Sequence, residues 1–192
     1  MPCSKLFQSR QKGPKSMVIW MTGLSGAGKS TVADVIVEKL KPNLPELVLL
    51  DGDTIRELFG QSLDYSEKSR VIQVERLRTM AKLLAEQGLV VIVTVLYCHP
   101  DLMAWNRENI PGYFEVYMDI PLDVAKKRDV KGLYEKAARG EMPNVVGIDI
   151  PWYGPENPDL RIEGDNGDSP EDFADLIIAA CPRLKNALRK NG

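Results

Sequence analysis

The sequence predicts an α/β fold: a three-layer domain with a mainly parallel five-stranded sheet between helices, and a lid segment set outside the sheet. Three observations lead there. Five short apolar runs, at residues 17–22, 47–50, 89–95, 113–120 and 160–162, alternate with stretches of helical periodicity, which is the pattern of a parallel sheet covered on both faces. The run at 89–95 is β-branched and bare of charge, as a central strand requires. The first run ends at a glycine-rich turn that leads straight into a helix.

Residues 17–22 (MVIWMT) form the first strand. Helix spacing follows at Val32, Val35, Ile36 and Leu40. The second strand, 47–50, runs into Asp51-Gly52-Asp53, and residues 55–59 form a short helix. Ser66 is placed to cap a longer helix through Gln87, stopped by Gly88, with Val74, Leu77, Met80, Leu83 and Leu84 on its apolar face. Residues 89–95 are the third strand, Pro100 opens a helix through Arg107, residues 113–120 are the fourth strand, and 121–128 a short helix. Residues 129–158 are polar and rich in Gly and Pro; they read as an excursion from the core that holds a helix at 133–138. A fifth strand covers 160–162. Ser169-Pro170-Glu171-Asp172 combines an N-cap, a proline at the first position and two acids at the positive end of the helix dipole, and Pro182 interrupts the helix it starts.

The 192 residues suit one such domain, over 17–192, after an N-terminal tail at 1–16. With 44% hydrophobic and 27% charged residues the chain is globular rather than disordered. A formal net charge of -2, without a basic stripe, argues against nucleic acid as the partner. No apolar run has membrane-spanning length, so no membrane partner is expected. Lys5, Arg10, Lys12 and Lys15 make the tail basic, but no signal-peptide core follows. Three cysteines at unrelated spacings (Cys3, Cys98, Cys181) fit the reducing cytoplasm and no zinc site.

Gly23-Leu24-Ser25-Gly26-Ala27-Gly28-Lys29-Ser30 matches G-x-x-x-x-G-K-[ST], followed by Thr31. Glycines let successive N–H groups turn inward onto phosphate oxygens, and the following helix offers its positive end to the same anion. Lys29 neutralises the β- and γ-phosphates, and the Ser30 hydroxyl reaches Mg²⁺. The motif predicts a P-loop NTPase three-layer fold binding ATP and Mg²⁺. No N-K-x-D segment reads guanine, and the third strand ends in Thr94-Val95-Leu96 rather than in the acid of motor ATPases. The acids follow the second strand instead. Asp51, Asp53 and Arg56 then lie at strand ends beside the phosphate loop, where ligands of such sheets bind. Asp53 is a candidate to take the proton of an attacking hydroxyl or to help hold Mg²⁺, and Arg56 to hold an anionic group.

From about residue 17 to 162 the chain resembles the adenylyl-sulfate kinase family. The resemblance rests on Trp20-Met21-Thr22 with the phosphate loop, Asp51-Gly52-Asp53, Lys131-Gly132-Leu133-Tyr134, Gly147-Ile148-Asp149 and Pro155-Glu156-Asn157-Pro158-Asp159-Leu160. It implies a homodimeric kinase acting with Mg-ATP on the 3′-hydroxyl of adenylyl sulfate, a small nucleotide. It further implies that residues 23–31 hold the ATP phosphates, that Asp53 sits at the reacting hydroxyl and magnesium, and that Arg56 and Arg70 hold the phosphate-sulfate end of the acceptor. Tyr65 takes the place of a phenylalanine that stacks on the acceptor base. Arg128 and Lys131 begin the lid.

The departures fall on the acceptor side. Val95-Leu96-Tyr97-Cys98-His99-Pro100 replaces a family Phe-Ile-Ser-Pro-Tyr/Phe-Arg segment that lines the pocket, Val145 stands for a lid phenylalanine, Arg-x-x-Asn becomes Arg70-x-x-Gln73, and a nearby arginine becomes Glu75. Base stacking on an aromatic ring is worth about 1–3 kcal/mol, so Val145 weakens an adenine sandwich. The chain also resembles a branch of the family that phosphorylates cytidine diphosphoramidate, whose smaller pyrimidine tolerates a valine wall; that acceptor is the alternative to adenylyl sulfate. A kinase for a non-nucleotide acceptor and a non-catalytic nucleotide-binding module are the remaining alternatives. His99, Cys98, Trp105 and Trp152 have no role that the sequence decides.

Overall fold

The computed structural model describes residues 16–60, 63–129, 132–164 and 167–188. The basic tail therefore lies outside the described residues. Five strands are present, β1 (Met17–Thr22), β2 (Leu47–Asp51), β3 (Val90–Val95), β4 (Tyr113–Asp119) and β5 (Leu160–Glu163). They form one sheet in the order β2-β3-β1-β4-β5 with every pairing parallel, so the mainly parallel sheet of the sequence reading is wholly so.

Every residue of β1 and β3 is buried, which places the two most apolar strands at the centre. Alternation along β1 feeds two cores. Ile19 and Met21 point into one with Ile92 and Met118, beneath α1 (Lys29–Leu40), α7 (Pro170–Ala180) and α8 (Pro182–Leu188). Val18 and Trp20 point into the other with Val91 and Val93, beneath α3 (Glu67–Glu86) and α4 (Pro100–Asn109). The remaining helices are α2 (Gly52–Leu58), α5 (Leu122–Arg128) and α6 (Leu133–Ala138).

Local chemistry sets the ends. Ser66 caps α3 by accepting from Ser69 N, and Ser169 with Asp172 forms a reciprocal capping box on α7. Pro182 divides the last helical stretch into α7 and α8. Two expectations are corrected. Leu83 is 52% exposed, because nine residues at 3.6 per turn put it about 180° round α3 from buried Val74. The short helix after β2 begins at Gly52, not at Ile55, because the Asp51 carboxylate accepts from Asp53 N and Thr54 N and starts the helix three residues early.

Candidate active site

The strand order switches sides at β1: β2 and β3 lie on one side of it, β4 and β5 on the other. The crevice at such a switch, outside the strand C-termini, is where open α/β sheets bind ligands. Here it is a cavity of about 770 Å³. Its lining includes Ser25, Gly26, Ala27, Gly28, Lys29, Ser30, Thr31 and Arg128, and also Asp51, Asp53, Arg56, Tyr65, Arg70, Gln73, Leu96 and Val145. Lys29 and Asp53 thus open onto one space, as the sequence required.

The phosphate loop bends where only glycine fits. Gly26 has φ +80 and a Cβ there would lie 2.9 Å from the Ala125 carbonyl oxygen; Gly28, with φ +89, is the N-cap of α1. Lys29 Nζ donates to the carbonyl oxygens of Gly23 at 2.7 Å and Leu24 at 2.9 Å. Gly23 and Leu24 therefore stand behind the cavity wall and hold the ammonium, rather than lining the cavity themselves. Arg128 Nη1 donates to Gly26 O at 3.5 Å, and Tyr134 of α6 donates its hydroxyl to Ser25 O at 3.0 Å. The first ties the end of α5 to the loop, and the second ties α6, within the excursion, to it.

Asp51 joins the two halves. Its Oδ2 accepts from Ser30 Oγ at 2.7 Å and Thr94 Oγ1 at 2.6 Å; its Oδ1 accepts from Asp53 N at 3.1 Å and Thr54 N at 3.0 Å. Partial burial pushes the carboxyl up, but the bonds from Thr94, Ser30 and Thr54 outweigh it and hold its pKa below the usual carboxylate value. The acid that the phosphate-loop serine meets is thus Asp51. Asp53 is exposed on the first turn of α2, where it faces the cavity.

Two cations of the lining gather at one aromatic ring. The Arg56 and Arg70 guanidinium carbons lie 5.1 Å and 5.7 Å from the centre of the Tyr65 ring. Arg56 Nη1 donates to Asp64 O at 2.9 Å; Arg70 donates from Nε to Tyr65 O at 3.0 Å and from Nη2 to Asn144 O at 2.7 Å. Burial, then repulsion from Arg56, lowers the pKa of Arg70 from its ordinary value. Gln73, one turn along α3, donates from Nε2 to Gly52 O at 2.9 Å.

Val145 is buried and also lines the cavity, and its backbone N–H and that of Asn144 donate to Asp149. Gly147 does not line the cavity. With φ +88 it turns the chain behind Val145, and a Cβ there would crowd Leu24 and Leu122. Lys131 lies outside the described residues.

Sequence reasoning gave no role to Thr94, Tyr97, Met142, Asn144, Asp168 or Phe173, which also line the cavity. Thr94 had a signal, a polar residue at the end of a buried strand. Asp168 and Phe173 had none, because they reach the site only once α7 packs beside α1. His99 caps α4 through Nδ1, accepting from Asp101 N at 3.3 Å, and meets the Tyr153 ring edge-on at 5.2 Å. Cys98 Sγ donates to Tyr153 O at 2.7 Å, and burial pushes its thiol up to about 12, so it is no nucleophile. Trp105 lies under Arg78 at 4.1 Å, and Trp152 donates to the Tyr117 hydroxyl at 3.3 Å.

Comparison with known proteins bears on the same residues. The family model described as adenylylsulphate kinase matches residues 15–163. An adenylyl-sulfate kinase of Deinococcus deserti is 42% identical over 148 residues, covering 77% of this chain and 82% of the relative. A cytidine diphosphoramidate kinase of Campylobacter jejuni is 38% identical over 161 residues, covering 84% of this chain and 94% of the relative. Among solved structures, the Mycobacterium tuberculosis APS kinase in complex with AMPPNP and APS superposes with a TM-score of 0.76 at 35% identity, over 88% of this chain and 98% of that one.

Proposed function

The chain belongs to the adenylylsulphate kinase family, and on that premise we propose that it transfers the γ-phosphoryl group of Mg-ATP to the 3′-hydroxyl of adenylyl sulfate. The observation that carries the reading is the single cavity that Lys29 and Asp53 share with Arg56 and Arg70. One wall suits a triphosphate; the other offers a carboxylate for a hydroxyl and two guanidinium groups for an anion.

The loop amides and Lys29 hold the phosphates of the donor, and Arg128 closes over them. Asp53 accepts the proton of the acceptor hydroxyl as its oxygen bonds to the γ-phosphorus; the bond from that phosphorus to the β-γ bridging oxygen breaks, and ADP leaves with the electron pair. Arg56 and Arg70 hold the anionic end of the acceptor, and Tyr65 stacks on its base. Residues 129–158 act as a lid that keeps water from the γ-phosphate. The donors for Mg²⁺ are hard oxygens, the Ser30 hydroxyl and the Asp51 carboxylate beside it, which suit that ion. Magnesium held by these oxygens would neutralise charge on the transferring phosphoryl group. Asp51, bonded to Ser30, is the better placed of the two acids for that task, which leaves Asp53 to the hydroxyl. A homodimer of this one kinase domain, 17–192, in the cytoplasm fits the family and the buried thiols of Cys98 and Cys181.

Val145 supports a second reading. It is a small wall where a ring would complete an adenine sandwich, and the Campylobacter jejuni relative named as a cytidine diphosphoramidate kinase is nearly as similar as the adenylyl-sulfate kinase. An acceptor panel separates the two: kcat/KM for adenylyl sulfate, cytidine diphosphoramidate and other nucleotides, with Lys29→Ala as the inactive control. ATP turnover indifferent to every nucleotide acceptor overturns both readings.

A further inference from the structure

β3 is buried along its whole length, and every side chain but one is valine or isoleucine. The exception is Thr94, 2% exposed. Valine has nearly the same shape and suits a buried strand with no alcohol to satisfy, so the hydroxyl calls for a reason. Register supplies its partner. Thr94 pairs with Asp51 across β3 and β2, and its Oγ1 donates to Asp51 Oδ2 at 2.6 Å.

The same oxygen accepts from Ser30 Oγ at 2.7 Å. The two donors are unequal. Ser30 is exposed and can exchange its bond with water or a ligand, whereas Thr94 is shut in beside the carboxylate. On the other side, Oδ1 accepts from Asp53 N at 3.1 Å and Thr54 N at 3.0 Å. The terminal torsion of an aspartate is broad, so bonds on Oδ1 alone hold Oδ2 loosely. A short bond to a charged acceptor is among the stronger ones, and the one from Thr94 keeps Oδ2 turned to Ser30.

We infer that Thr94 is a positioning residue for the metal-binding pair: its hydroxyl fixes the Asp51 carboxylate against Ser30 and so sets how strongly Mg²⁺ tightens nucleotide binding. Thr94 acts through Asp51. The inference rests on the reading of Ser30 and Asp51 as donors for that ion and adds the group that orients them.

The test uses the full chain. Calorimetry gives the Kd of ADP in EDTA and in excess Mg²⁺ for the wild type, Thr94→Val, Thr94→Ala and Thr94→Ser, with folding checked by urea denaturation. The ratio of the two constants is the coupling between ion and nucleotide. In Thr94→Val the coupling should fall about tenfold, the low end for loss of a group that orients a metal ligand, while the constant in EDTA stays the same. Thr94→Ser keeps the hydroxyl and should keep the coupling. Thr94→Ala, too small to clash, should match Thr94→Val and carries the test if the valine protein does not fold. Wild-type coupling in the folded hydroxyl-free variants overturns the inference. Lost coupling in Thr94→Ser overturns it too, because the methyl group then matters rather than the hydroxyl. So does ADP binding weakened equally with and without the ion, the mark of a purely structural role. Wild-type ADP affinity indifferent to Mg²⁺ overturns the metal reading of Ser30 and Asp51 itself, and this inference with it.

Discussion

Replacing Asp51 tests how the two halves of the site are joined. In Asp51→Ala, α2 loses its cap, since Asp53 N and Thr54 N lose the acceptor they share; loss of such a cap costs about 1 kcal/mol. The two hydroxyls on Oδ2 differ. Ser30 is exposed and recovers a bond from water. Thr94 is 2% exposed, so its hydroxyl is stranded, a penalty of about 1–3 kcal/mol. The expected loss is about 2–4 kcal/mol, read from urea denaturation at pH 7. Asp51→Asn keeps an oxygen for the cap and should lose about half as much. Both variants should need far more Mg²⁺ for half-maximal ATP turnover. Titration follows from the same bonds. The folded pKa of Asp51 is depressed, so its contribution is present above the unfolded carboxylate value and is lost as pH falls through the lower folded value. The stability difference between wild type and Asp51→Asn should therefore shrink only in acid, below the ordinary Asp range. An Asp51→Ala protein as stable as the wild type, with an unchanged Mg²⁺ requirement, refutes the reasoning.

Other outcomes follow from the same geometry. Val145→Phe restores a ring opposite Tyr65; stacking worth about 1–3 kcal/mol should raise kcat/KM for adenylyl sulfate at least severalfold relative to the cytidine compound, and an unchanged ratio refutes the pocket argument. Tyr134→Phe removes the bond from α6 to Ser25 O, so ATP hydrolysis without acceptor should rise relative to transfer, measured as ADP released per acceptor phosphorylated. Cys98 should resist iodoacetamide at pH 8 in the folded protein and react on unfolding, because burial pushes its thiol up to about 12. Leu77→Ala, at a fully buried position under the sheet, should cost about 2–5 kcal/mol in urea denaturation.

The phosphate loop was legible because its chemistry is local. Glycines, a lysine and a serine at set spacing bend one stretch of backbone around an anion, and the strand before it and helix after it show in apolar periodicity. The same holds for β3, whose uncharged β-branched run can only be central, and for α7, whose cap, proline and acids lie within four residues. The placement of Asp51 was not legible. As a sequence, Asp51-Gly52-Asp53 offers two equivalent acids, and nothing local says which one meets Ser30. Their roles separate only when β2 pairs with β3 and brings Thr94, 43 positions away, onto the Asp51 carboxylate. Gly147 shows the converse: a motif residue that the fold turns away from the cavity.

Residue order alone thus determined the strands, most of the helices, the anion-binding loop and the family likeness, because each is written in neighbours a few positions apart. Tertiary structure alone decided which acid meets Ser30, that Asp168 and Phe173 join the cavity lining, and that Gly147 stays out of it. Those outcomes depend on groups dozens of residues apart arriving within hydrogen-bond distance, and no local pattern encodes that approach.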